Sequence, residues 1–145
     1  MVYPAGLLQI RVWSKGRSTT ASTDKLPIMD VETLDFTFSN GVENWTPYET
    51  SGWQRALMTA KAASVTVTAK RNIGDAGNDY IAGLFMTNGE DANSGLDITF
   101  PGGSVFSMPA VVNVTSIGGG AATDVSPLVA EFQSDGEPTY TPATT

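Results

Sequence analysis

The residues Ser64 to Lys70 (SVTVTAK) constrain the fold of this chain more than any other stretch. Val65, Val67 and Ala69 fall on one face of an extended chain and Ser64, Thr66, Thr68 and Lys70 on the other, the period of two that a strand with one dry side requires. The chain therefore holds a sheet, with a core on the valine side. Around this strand lie a short amphipathic segment (Trp53, Leu57, Met58), a turn marked by Asn72, Gly74 and Gly77, and a second helical segment up to Met86. Asn78 or Asp79 can cap that helix, and Tyr80, Ile81, Leu84 and Phe85 give it an apolar stripe to lay on the sheet.

Alternation recurs elsewhere. Residues 3 to 13 read as a first strand, with Leu8, Ile10 and Val12 against Gln9, Arg11 and Trp13. Residues 14 to 25 begin with SKGRSTTASTD, which has no hydrophobic period. They read as a loop or arm, either mobile or ordered against a neighbouring subunit. Residues 28 to 39 form a second strand region, with Leu34, Phe36 and Phe38 on one face, and Asn40-Gly41 supplies a turn pair. From there to about residue 53 runs a long loop that contains Trp45, Tyr48 and Trp53. Large aromatics in a loop either cover the subunit's own core or anchor in a partner's pocket.

Past the centre, Asn88 to Ser94 is an acidic, turn-rich connection. Leu96, Ile98 and Phe100 alternate with Asp97 and Thr99, and Pro101 to Ser104 makes a hairpin turn. The return strand carries Phe106, Met108, Ala110, Val112 and Val114 on one parity, and its Pro109 demands an edge or a bulge. After Gly118 to Gly120, a last strand sets Leu128, Ala130 and Phe132 opposite Val129 and Glu131, and an extended tail occupies about residues 135 to 145. The class expected is mainly β, an antiparallel β-sandwich or flattened barrel with one flanking α-helix, in a single domain of 145 residues.

Charge is segregated. The first 71 residues hold all eight Lys and Arg with six acids, a balance of +2; the remaining 74 hold nine acids and no base, a balance of −9. Such a chain is not expected to grip nucleic acid, whose binding draws on neutralised phosphates. With no His and no Cys, the most versatile acid-base group, the commonest zinc ligand and the thiol nucleophile are missing. Asp75, Asn78 and Asp79 miss the calcium-loop spacing, and Glu90 with Asp91 reads as exposed loop acids rather than a glycosidase pair. No catalytic residue, cofactor or metal is expected. The apolar runs are too short to span a bilayer and the start lacks a secretory pattern, so a protein of the cytoplasm, or of a particle assembled there, is expected. Two classes remain open: a subunit that assembles with copies of itself, and a monomeric carbohydrate-binding or adhesive β-sandwich using Trp45, Tyr48 and Trp53.

The run GWQRALMTAKAASVTVTAKRNIGDAGNDYIAGL from Gly52 to Leu84 resembles the major tail tube proteins of long-tailed phages and prophages of Gram-positive hosts. The likeness continues through FPGG (residues 100 to 103), VVNVT (111 to 115), the Gly118 to Gly120 run and SDGEPTYTP (134 to 142), and covers residues 30 to 142. The resemblance implies six-fold rings that stack into a hollow tube, through which DNA leaves the capsid without specific binding. It places the protein in the virion tail, assembled in the host cytoplasm without membrane insertion. Its partners would be itself and other tail proteins: tape measure, distal tail and tail terminator. In such proteins the connection at residues 40 to 53 is a projection between stacked rings. Trp45, Tyr48 and Trp53, with Arg17 and Lys25, are then expected at contacts between subunits. Asp97, Glu131, Glu90 and Asp91 are expected to face the channel, where acids repel DNA.

Overall fold

The valine alternation lies in a strand, but the strand is much longer than its alternating part. A computed structural model describes residues 1–143 and places β4 at Arg55–Lys70, antiparallel to β3 at Val31–Trp45. The other strands are β1 (Gln9–Trp13), β2 (Lys25–Pro27), β5 (Asn93–Thr99), β6 (Val105–Ser116), β7 (Pro127–Ser134) and β8 (Thr139–Thr141), with one helix, α1 (Ala76–Ala82). They form one antiparallel sheet in the order β2-β1-β5-β6-β7-β4-β3, and β8 continues the edge of β6 that β7 leaves free. The expected extended tail thus contains a short strand; Thr144 and Thr145 lie outside the described residues.

The sheet curls on itself. Two strands separate β3 from β6 in the sheet order, yet Phe36 of β3 meets Phe106 of β6 edge-on with ring centroids 5.8 Å apart, and stacks on Phe100 at 6.2 Å. This is the flattened barrel that the strand patterns predict. Its interior holds Val12, Val65, Val67, Leu96, Ile98, Met108, Leu128 and Phe132, all from the parities expected to face inward. Helix α1 closes the open side, packing on β1, β2, β6 and β7.

Pro109 sits inside β6, opposite Gly95 of β5. On the other edge it falls at the break between β7 and β8, where the Asp135 amide donates to the Pro109 carbonyl. A residue that lacks an N–H therefore falls at a gap in the pairing on that edge, between β7 and β8, rather than at a bulge in the β5 ladder.

Three local readings are corrected. Asn40-Gly41 is not a turn: β3 runs through it to Trp45, and the pair marks a register shift at which β4 carries one extra residue, Thr59. Segment Trp53 to Met58 is not helical; from Arg55 it is strand, exposed throughout. The helix begins earlier than expected, with Asp75 as its cap accepting from the Asn78 amide, and ends at Ala82, so that Leu84 and Phe85 lie beyond it.

Asn78, fully buried, is a docking point rather than a cap. Its Oδ1 accepts from the Arg71 guanidinium and the Asn72 amide, and its Nδ2 donates to the Lys70 carbonyl. Beside it Arg71 also donates to Asp79 at 2.7 Å. This hydrogen bond holds the Asp79 carboxyl below the ordinary carboxylate value of 3.8, against the opposing pull of desolvation and with help from the Gly74 amide. A depressed folded-state value means that the interaction favours folding fully above the unfolded value and is lost as pH falls through the lower folded one. In a carboxyl NMR titration Asp79 is expected to titrate below 3.8 in the wild type and to return toward it in Arg71→Gln; an unchanged midpoint would break the assignment.

Gly77 faces β2 so closely that a Cβ there would overlap the Pro27 carbonyl oxygen. Alanine inside a helix ordinarily stabilises by ~1 kcal/mol over glycine. Here Gly77→Ala is expected to destabilise by about 1–3 kcal/mol, the cost of overpacking, and a denaturant series showing stabilisation would refute the tight docking of α1.

Candidate functional site

β4 pairs with β7 only from Ser64 to Lys70. Beyond that, the distal halves of β3 and β4 pair only with each other and leave the barrel as a two-stranded arm. From Thr37 to Ala62 it has no buried residue. Cross-strand partners share a face, so after the shift at Gly41 one face of the arm carries Val42 with Met58 and the other carries Trp45 with Arg55 and Leu57 beside them. Each face thus exposes apolar side chains. Arg55 lies over the Trp45 ring, 5.5 Å from its centroid.

The tip is an ordered knob. Pro47 leads into a 3₁₀ turn at Tyr48–Thr50, and the chain reverses through Ser51 and Gly52, both at positive φ. The Thr50 hydroxyl closes the turn, its single hydrogen within reach of the Trp53 carbonyl at 2.6 Å and the Pro47 carbonyl at 3.0 Å. This structure presents Tyr48 at 104% and Trp53 at 77% exposure. The long loop expected at residues 40 to 53 is thus a turn of a few residues at the end of two strands, and all three expected contact aromatics sit at its far end.

Arg17 and Lys25, expected at contacts with other subunits, are instead engaged within their own. Arg17 donates through Nε to the Ser94 carbonyl and pairs with Asp135 at 3.0 Å. Lys25 pairs with Asp97 at 2.8 Å and lies over the Trp13 ring. The segment of residues 14–25 is accordingly packed on the barrel as two short 3₁₀ turns rather than free as an arm. Its attachment explains Asp97, expected on a channel wall but only 8% exposed. The carboxylate accepts from the Trp13 indole, from Ser107 and from Lys25, each at 2.8 Å. The Trp13 ring lies against Gly95, where any side chain would displace it.

The other acids remain accessible. Glu90 and Asp91 are exposed in a 3₁₀ turn before β5. Glu131 lies half-buried on the outer sheet face, in a row of cross-strand neighbours that runs Asp35, Thr66, Glu131, Asn113 across β3, β4, β7 and β6. Ser64 and Gln133 donate to its carboxylate. At the end of this face Lys70 is tied to Glu32 at 3.1 Å. Among the described residues no three His, Cys, Asp or Glu gather as metal ligands, and no helix is long and apolar enough to cross a membrane.

No family model matches the chain, and no curated protein does. Several solved structures are similar to it, among them two from gene transfer agent particles. One is a chain in the tail of an empty gene transfer agent particle, refined helically with C6 symmetry: 16% identity, TM-score 0.73, covering 97% of this chain and 100% of that one. The other belongs to the virion of a native gene transfer agent particle: 13% identity, TM-score 0.71, with the same coverage. At these identities the likeness is one of architecture, and because it spans both chains nearly end to end, the arm and the barrel belong to a single shared fold.

Proposed function

We propose that this protein is the structural subunit of a phage-like tail tube, in which copies form six-membered rings that stack into a hollow conduit for DNA. The carrying observation is the arm. A hairpin with apolar side chains on both faces and no core of its own is marginal in water, so it is built to be covered by other copies. The C6 tail assembly from which the similar chain comes supplies the ring number. In this reading Trp45, Tyr48 and Trp53 lie at contacts between stacked rings, the row around Glu131 faces the channel, and Glu90 and Asp91 add acid near one mouth. Hydroxyls, amides and unpaired acids let phosphates slide past without a counter-charge to hold them. The chain is a non-enzymatic component of the virion tail. Tape measure, distal tail and tail terminator proteins are its further partners, and the host is a Gram-positive bacterium.

Negative-stain electron microscopy of the purified protein over a rising concentration series tests this directly, with hollow tubes or rings expected. Trp45→Ala is expected to raise the concentration needed for assembly at least about tenfold while circular dichroism stays that of the folded chain. Persistent monomers whose tryptophan fluorescence responds to added glycans would instead support a carbohydrate-binding sandwich.

A further inference from the structure

We propose that an aromatic cup at the root of the arm is the receptor for the arm tip of a second copy, with Trp53 the side chain that fills it. This rests on the self-assembly reading and adds to it the seat of the contact. The cup is a cavity of about 440 Å³ lined solely by Phe36, Phe38, Phe100, Phe106 and Tyr140. Its Phe rings already pack on one another at centroid distances of 5.8 to 6.4 Å. That leaves ring faces and edges turned to an opening that suits a further aromatic. Phe38 also borders a second hollow of about 720 Å³, where Lys61 and Glu137 supply one charge of each sign.

A chain cannot fill its own cup. Trp45 lies seven residues along β3 from Phe38, roughly 23 Å at ~3.3 Å per residue, and the ladder with β4 continues past the shift at Gly41 to the Trp45–Arg55 pair. In the self-assembly reading the occupant is another copy, and its exposed apolar side chains include residues 1–7, Ile73 with Phe85 and Met86, and the arm tip. Residues 1–7 bring no charged side chain to match the rim. Ile73, Phe85 and Met86 flank α1 in sequence, where the nearest charges, Arg71 and Asp79, already pair with each other. Only the tip brings indole and phenol rings together with Glu49 and Arg55, an acid and a base that complement Lys61 and Glu137. The tip's internal hydrogen bonds fix Trp53 before contact, which lowers the ordering cost of insertion. Tip and cup are different surfaces of one subunit, so the contact is heterologous and adds copies without self-closing.

The absence of cysteine makes a clean test possible. Gln54→Cys and Tyr140→Cys chains are mixed at assembling concentration with a short thiol cross-linker. Gln54→Cys mixed with Ile73→Cys serves as the rival pair. Covalent heterodimer from the 54/140 pair at least about tenfold above the rival, and loss of assembly in Trp53→Ala, are the expected results. Tubes that form with no 54/140 product, or with the 54/73 product instead, overturn the cup while leaving the tube reading intact. A wild-type chain that never assembles overturns both.

Discussion

Replacing residues 43–57 with Asn-Gly, so that Val42 and Met58 close a two-residue hairpin, is expected to yield a folded monomer that forms neither rings nor tubes at any concentration. Val42 and Met58 are cross-strand partners, and Asn-Gly suits the tight turn that joins such a pair. No residue in the removed segment is buried. The change in unfolding free energy should therefore stay within ~1 kcal/mol, a shift of only a few degrees in melting temperature. Assembly should be abolished, because every exposed aromatic of the tip leaves with the segment. Thermal unfolding and electron microscopy on the same sample separate the two effects. Tubes from the truncated chain would remove the arm from the contact between copies, whatever the stability shows.

Asp97→Ala is expected to produce the opposite pattern, a large loss of stability with no direct effect on contacts between copies. Its carboxylate is the shared acceptor for Trp13, Lys25 and Ser107. Removing it leaves a mostly buried ammonium and an indole N–H without a partner. Breaking a fully buried pair costs about 3–5 kcal/mol; because Lys25 keeps 21% of its side-chain surface in water, about 2–3 kcal/mol is a fairer expectation. That corresponds to a fall in melting temperature of roughly 4 to 12 °C for a chain of this size. Asp97→Asn retains an oxygen for Trp13 and Ser107 and loses only the charge opposite Lys25, so it should cost about half as much. An acid on a channel wall would behave otherwise, with stability untouched by either substitution.

The difference between Asp97 as expected and as found shows where sequence reading stops. Parity places Asp97 opposite Leu96 and Ile98, and a polar residue on that parity reads as solvent-facing. It is covered by Trp13 and Lys25, which come from residues 13–25 with no periodicity to announce their course. Barrel strands were legible because one face of each meets the core, which imposes the alternation. Across the arm no such rule operates: neither face meets its own core, so Trp45, Leu57, Val42 and Met58 fall on both parities and the pattern looks like loop. Asn40-Gly41 compounded this. The dipeptide suits a hairpin turn, but here Gly41 admits the Ala60 Cβ, which would lie 3.1 Å from any Cβ at position 41. Asn78 was legible as a helix-end residue, but not as a buried one, since its partners, the Arg71 guanidinium, the Asn72 amide and the Lys70 carbonyl, are brought to it by the course of the preceding turn.

The sheet order leaves two open margins of very unequal length. β2 has three residues and ends in Pro27, whereas β3 has fifteen. An unpaired strand of that length is a ready template for misdirected pairing and fibrous aggregation in a crowded cell. β3 carries an extra residue at Glu32, and β4 carries Thr59 opposite Gly41. Bulges of this kind bend the strand and increase its twist, so the flat, regular stacking on which fibrils depend would have to untwist the edge at both ends of Thr33–Gly41. The irregularities that aim the arm thus also guard the chain during the interval between its synthesis and its incorporation.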